Sequence, residues 1–380
     1  MSFKEVVSSL TQYTEVTLES VGEALTKLAL LAESRGFAPW KQQAKEKTNG
    51  GAARAYSMFP IRDTTAFSFL KRQQSILWVA DEMQFQIDAN NFRNLPKRYQ
   101  QIYKDFLGFF APGDGLITEQ AVRFLSEAKS YEESAFLCSQ LYIEQVHAET
   151  YGLAIATVIP EKEHDEIFTA IERLDCVKAK GDFIKRYMNS DSSLSTRYLA
   201  GAFTEGVFFS ALFALIFFFR RKNVFKTFCT ANAFIMRDES LHRDFNCMMA
   251  SRYKDFDTET AHAIAREVYD IEVSHLEYIL REPVDSDEAD EASGLTVENV
   301  KCFIRNLVDQ VLVMAGVTPL FNESRSATEA LPWMADIGLQ GKQNFYEAIV
   351  IDYSAVSVNK SLESTDDRND VNEFTDSCEF

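Results

Sequence analysis

Each of the five histidines in this chain has a glutamate three positions before it: Glu144/His147, Glu161/His164, Glu239/His242, Glu259/His262 and Glu272/His275. Residues three apart share a helix face, so each pair has the spacing to offer a carboxylate and an imidazole to one metal ion. A motif that recurs at every histidine of an acidic helical chain discriminates nothing by itself, because solvated helix faces produce it too. Context separates the pairs. Glu161/His164 lies in PEKEHDE, a charge run after a proline, and Glu259/His262 in the polar DTETAHAIARE. Both read as solvated first turns. Glu272/His275 sits on an amphipathic helix near Ile271, Leu276 and Ile279 and reads as a boundary pair, since no second inward carboxylate accompanies it.

Glu144/His147 and Glu239/His242 differ, because each lies in the middle of a long helical pattern and each has a lone acid upstream. Asp114 lies 30 residues before Glu144, and Glu205 lies 34 before Glu239. Glu205 is the harder to explain, since it interrupts YLAGAFTEGVFFSALFALIFFF, which is apolar on every side. Burying isolated carboxylates is costly unless cations compensate them. Two metal ions would do so. Asp114, Glu144, His147, Glu205, Glu239 and His242 then form a dinuclear carboxylate site of the kind helical bundles build in their cores. Mixed oxygen and nitrogen ligation suits iron or manganese better than thiolate-seeking metals.

The elements that must position these residues are helical. Strand alternation is almost absent, and apolar residues recur at i, i+3 and i+4. The pattern predicts helices over 64–90, 96–110, 118–158, 163–178, 194–221, 222–253, 257–281 and 296–317, with a break at Pro112-Gly113-Asp114-Gly115. The expected fold is all-α, a ferritin-like helical bundle with a buried dinuclear metal site over residues 54–356. An N-terminal extension over 1–53 precedes it and a polar tail over 357–380 follows it. Residues 285–294 (DSDEADEASG) read as an acidic loop. With 380 residues and 31 Phe, the chain carries too much apolar surface to stay disordered. Its net charge of −18 argues against a partner held by phosphate backbones or anionic lipid, so neither nucleic acid nor membrane is expected. The charge-free run Val207–Phe219 is short of the ~20 apolar residues a membrane span needs, and buried core is the better reading. Six scattered cysteines without a CxxC pair fit neither a disulfide framework nor a zinc ribbon. No secretory signal opens the chain, and a reduced cytoplasmic setting is expected.

Over residues 54–354 and again at the extreme C-terminus, the chain resembles the small, radical-generating subunit of class I ribonucleotide reductase. The motifs that carry the resemblance occur in order. They are Phe109-Phe110-Ala111-x-x-Asp114-Gly115, Glu144-x-x-His147-x-Glu149-x-Tyr151, Glu205-Gly206-Val207-Phe208-Phe209-Ser210 and Arg237-Asp238-Glu239-x-Leu241-His242-x-Asp244-Phe245. Pro332-Trp333-Met334 and Gly341-Lys342-x-Asn344-Phe345-x-Glu347 complete the set. The resemblance lends ligand roles to the six residues already named. It implies that two iron ions (with manganese as an alternative) and O2 oxidise Tyr151 to a tyrosyl radical, within an apolar lining that includes Phe209, Phe213 and Ile235. It further implies radical transfer through Trp78, Asp238 and Tyr353 to a large catalytic subunit that reduces ribonucleotides to deoxyribonucleotides.

The tail Phe374-Thr375-Asp376-Ser377-Cys378-Glu379-Phe380 matches the acidic, Phe-bounded docking peptide of the family, and a homodimer is implied. Pro112-Gly113, Gln84, Ala211-Leu212, the long acidic loop and Cys378 depart from the family's pattern without removing a ligand or Tyr151. The competing readings are a di-metal oxidase of the same architecture and a ferritin-like iron-handling protein. Neither needs Tyr151, Trp78, Tyr353 and a docking tail together.

Overall fold

The structure, a computed structural model, describes residues 58–283 and 294–335. Among the described residues every regular element is helical. Four segments build the centre: α3 (Lys97–Glu127), α4 (Tyr131–Val158), the continuous run α8 (Leu194–Phe203), π1 (Thr204–Phe209) and α9 (Ser210–Arg221), and α10 (Lys226–Arg252). Around them pack α1 (Thr64–Ser75), α2 (Gln86–Phe92), α7 (Asp175–Asn189), α11 (Thr258–Ile279) and α12 (Val297–Met314). The short helices α5 (His164–Phe168), α6 (Ala170–Arg173) and α13 (Ala327–Ala330) complete the set.

Several helix boundaries differ from the sequence pattern: the expected helix 163–178 is divided into α5, α6 and α7 and runs on to Asn189, and three further differences have clear physical reasons. The expected break at Pro112 does not occur, and α3 runs through it. An interior proline costs about 3 kcal/mol. Here Phe106, Leu107, Phe109 and Phe110 before it, with Leu116 and Ile117 after it, are all buried on one continuous helix. Burying a large apolar side chain contributes roughly 1.5–3 kcal/mol, so several together outweigh the proline. The break falls instead at 128–130. Ser130 Oγ accepts the Glu133 N–H at 3.0 Å, and Glu133 returns to accept the Lys129 N–H at 2.7 Å. That Ser-x-x-Glu exchange is a variant of the capping box and starts α4. The predicted helix 64–90 is also divided: it stops at Ser75 and resumes as a single 3-10 turn at Ala80–Glu82.

The apolar run Leu194–Arg221 has the length and composition of a membrane span, but its most apolar window is wholly buried within the protein. It is the core of the bundle. Its regularity fails in one place, the π turn at Thr204–Phe209, which contains Glu205. Single π turns inside α-helices accompany functional sites. Gly206 at the centre of this turn is pressed against α10 and α12. A Cβ there would lie 2.7 Å from Arg243 Cδ and 2.9 Å from Val311 Cγ2. The arginine stem has room to bend, but the β-branched valine is stiff. Gly206→Ala is therefore expected to destabilise the fold by about 1–3 kcal/mol, read as a lower urea midpoint at unchanged slope.

Candidate metal centre

All six candidate ligands converge. Asp114 comes from α3, Glu144 and His147 from α4, Glu205 from π1, and Glu239 and His242 from α10. None is more than 1% exposed. They form two overlapping groups: Asp114, Glu144, His147 and Glu239 in one, and Glu144, Glu205, Glu239 and His242 in the other. Within each group, one ligand atom per residue lies within 4.8 Å of all the others. Glu144 and Glu239 belong to both, as bridging carboxylates between two ions would.

The donor atoms fit a pair of cations and little else. Asp114 Oδ1 and Oδ2, Glu144 Oε2, His147 Nδ1, Glu205 Oε2, both Glu239 oxygens and His242 Nδ1 are buried without a hydrogen-bond partner. Buried polar atoms almost always find partners, and apart from ion-pair contacts of 3.0–3.8 Å between the two imidazoles and Glu144 and Glu239 these eight have none, an arrangement that two cations would satisfy. The outer nitrogens, by contrast, are occupied. His147 Nε2–H donates to Asp238 Oδ2 at 3.2 Å, and His242 Nε2–H donates to Gln73 Oε1 at 3.1 Å. Each imidazole is thereby oriented with Nδ1 facing the carboxylates, which is the work an outer partner does for a metal-binding histidine.

Sequence reasoning missed Gln73. It spans the back of the site, because its Nε2 also donates to Asp238 Oδ1 at 3.2 Å while its Oε1 holds His242. Gln140 was missed too; its amide donates to Glu205 Oε1 at 3.2 Å. Neither has a sequence signal beyond being polar on an inward helix face.

Without cations the cluster holds protons. Burial, joined by neighbouring carboxylates, drives the Asp114 and Glu205 carboxyls well above the usual range. Burial alone would lower both imidazoles. Asp238, Glu144 and Glu239 instead hold His147 well above its ordinary value, and Glu144 and Glu239 raise His242 to about 9.

Tyr151 is fully buried four residues beyond His147, and its O–H donates to Asn232 Oδ1 at 2.8 Å. Burial, then the charges of Asp114, Glu239 and Glu144, push the phenol's pKa well above its ordinary value. Phe110 stacks on the phenol ring (centroids 4.9 Å apart, planes at 5°), and Phe228 meets it at 6.3 Å. Phe209 and Phe213 stand one ring farther out, at 5.7 and 5.4 Å from Phe110. Ile235 is buried in the same core. Gly113, beside Asp114, leaves space for Phe209, whose Cζ would lie 3.3 Å from a Cβ there.

On the opposite face Trp78, 2% exposed, donates its Nε1–H to Asp238 Oδ2 at 2.7 Å, and its ring lies 6.0 Å from His147. Tyr353, Phe374–Phe380 and the Gly341–Glu347 motif lie outside the described residues, as do the N-terminal extension and the acidic loop up to residue 293.

The other three histidine pairs do not join the centre. His164 and His262 sit near the surface and bond main-chain carbonyls, Ile159 O and Thr318 O respectively. Glu272/His275 is no boundary pair: both residues are fully buried, and Glu272 Oε2 lies 2.6 Å from the equally buried Lys180. The missing inward charge was a lysine from another helix, which no local pattern reveals. Burial pushes Glu272 up to about 7 against the pull of Lys180, and it lowers both Lys180 and His275.

Ligands must be deprotonated to coordinate, so metal binding has to displace the protons that these raised pKa values retain. Affinity for Fe(II) or Mn(II) is therefore expected to rise with pH up to about 9, where His242 gives up its proton, with protons released on binding. Calorimetry in buffers of different ionisation enthalpy checks this. Binding that is independent of pH would contradict the geometry.

Comparison with known proteins places this arrangement in a family. Residues 55–329 match the family model "Ribonucleotide reductase, small chain". A ribonucleoside-diphosphate reductase small subunit of Plasmodium falciparum is 32% identical over 306 residues, covering 80% of this chain and 92% of that protein. Two solved structures share the fold. The dimanganese(II)-NrdF of Streptococcus sanguinis (TM-score 0.63, 19% identity) covers 73% of this chain and 96% of its own. The Rnr4 homodimer of Saccharomyces cerevisiae (TM-score 0.64, 21% identity) covers 87% and 99%. With the matched region containing all six converging side chains and Tyr151, the chain belongs to the ribonucleotide reductase small-chain family, the small subunits of ribonucleoside-diphosphate reductase.

Proposed function

We propose that Asp114, Glu144, His147, Glu205, Glu239 and His242 hold two iron or manganese ions, and that Tyr151 is the residue this small subunit oxidises. The observation that carries the reading is the meeting of eight unpartnered buried donor atoms beside a fully buried, hydrogen-bonded phenol. When bound, such an ion pair reacting with O2 supplies the oxidising power.

The chain's own residues do the rest. Asn232 Oδ1 holds the Tyr151 hydroxyl proton before oxidation, and the raised phenol pKa keeps that proton in place at neutral pH. Asn232 is itself fixed, since its amide donates to Phe228 O at 2.8 Å. Phe110, backed by Phe209 and Phe213, together with Phe228, excludes water and reductants from the ring, which lengthens the life of an oxidised phenol.

Asp238 carries the connection outward. Its Oδ2 accepts from both Trp78 Nε1–H and His147 Nε2–H, so a proton released when the indole is oxidised has an acceptor 2.7 Å away. Trp78, Asp238 and Tyr353 form the transfer route of this reading, and Phe374–Phe380 docks on the large catalytic subunit. The protein works as a homodimer in the cytoplasm, with residues 54–356 as the metal-binding domain between an N-terminal extension and the docking tail 357–380.

Electron paramagnetic resonance after adding Fe(II) and O2 is expected to give a tyrosyl signal that disappears in Tyr151→Phe while metal uptake stays unchanged. Metal uptake with no organic radical in the parent would overturn the reading. Trp78→Phe is expected to keep the radical but lose ribonucleotide reduction with the large subunit by about 10²-fold or more. Full turnover in Trp78→Phe would remove the indole from the route.

A further inference from the structure

Lys180 of α7 is fully buried among groups that play no part in the six-residue cluster. Its Nζ lies 2.6 Å from Glu272 Oε2 on α11, and it donates to the main-chain carbonyl of Phe208 at 3.3 Å. It also stands 4.3 Å from the centre of the Phe109 ring and 5.2 Å from that of Phe208. Stability alone is a weak account of such a pair, because replacing a buried ion pair with apolar side chains is often neutral or stabilising.

What the ammonium touches is more informative. Phe109 lies on α3 five residues before Asp114, and Phe208 lies in π1 three residues after Glu205. The Phe109 ring in turn meets Phe209 at 5.2 Å. A π turn interrupts the regular ladder of a helix, and main-chain groups displaced from that ladder need outside partners. Lys180 gives the Phe208 carbonyl a partner from outside the helix. Gly206 brings α10 and α12 against the turn near its middle, while Lys180 holds its far end.

We propose that Lys180, anchored by Glu272, is a positioning residue that pins the π turn against α3 and so sets where Glu205 and Phe209 stand at the metal centre. It acts through the Phe208 carbonyl and the Phe109 ring without touching a ligand atom. Glu272 keeps Nζ aimed by accepting one of its hydrogen bonds while another goes to the Phe208 carbonyl. The proposal rests on the dinuclear reading of the site for its consequence, though not for its geometry.

The test uses the full chain and two double variants, Lys180→Met/Glu272→Leu and Lys180→Met/Glu272→Gln. Both avoid leaving an unpaired buried charge, and whichever melts near the parent decides the question. In metal-free protein, amide hydrogen exchange over residues 204–212 is expected to quicken by about tenfold or more, while α4 keeps its protection. Anaerobic Fe(II) uptake is expected to fall from two ions per chain to about one. Glu272→Gln alone, which leaves the ammonium a hydrogen-bond acceptor, is expected to keep both properties. Parent-like exchange over 204–212 in a folded double variant overturns the proposal, as does uptake of two ions with unchanged affinity. If the parent itself binds fewer than two ions, the dinuclear reading fails while the exchange measurement still decides the role of Lys180.

Discussion

Four carboxylates closed off from water at the centre of a helical bundle set the terms for the rest of this molecule. Asp114, Glu144, Glu205 and Glu239 are all within 1% of complete burial, and together they would carry a charge that a low-dielectric interior does not tolerate uncompensated. The described structure contains no lysine or arginine paired to any of them. Two imidazoles and a set of retained protons are what the chain itself offers. Two divalent cations are the compensation that the eight unpartnered atoms fit. The surrounding architecture follows from keeping these groups in register: the three long helices α3, α4 and α10, a π turn, and the Gln73 amide and Asp238 carboxylate behind the histidines.

The outer hydrogen bonds show how one helix serves both sides of the site. Asn232 and Asp238 lie six residues apart on α10. Asn232 holds the Tyr151 hydroxyl, and Asp238 holds the Trp78 indole and the back of His147. The two side chains suited to oxidation are therefore tethered to the same rigid element that supplies Glu239 and His242. Aromatic rings separate Tyr151 from its surroundings, whereas polar hydrogen bonds connect Trp78 to the cluster. On the proposed reading, that asymmetry matches a Tyr151 that stores an oxidising equivalent and a Trp78 that passes it on.

Much of this was legible in the sequence, for identifiable reasons. Glu205 announced itself because a carboxylate inside an apolar run has no structural excuse, and helical spacing tied Glu144 to His147 and Glu239 to His242. The resemblance pointed to Tyr151, Trp78 and Asp238, which the fold places beside or behind the cluster. What escaped was set by tertiary contact. The continuity of α3 through Pro112 depends on apolar burial that outweighs a local penalty, and the π turn around Glu205 leaves no periodic trace. The Glu272/His275 pair looked like a boundary feature because its partner, Lys180, comes from a helix some 90 residues earlier in the chain. Gln73 stayed hidden because nothing in the sequence distinguishes it from Gln74 beside it. The capping exchange of Ser130 with Glu133, by contrast, was present in the sequence and was simply overlooked in favour of the glycines and proline upstream.

The central claim is that the two overlapping groups of side chains hold a cation each, bridged by Glu144 and Glu239. Anomalous X-ray scattering at the iron and manganese edges, from crystals of the metal-loaded protein, addresses it directly. The account predicts two peaks per chain, one enclosed by Asp114 and His147 and the other by Glu205 and His242, with both bridging glutamates between them. A single peak, or two peaks that do not share Glu144 and Glu239, would contradict it.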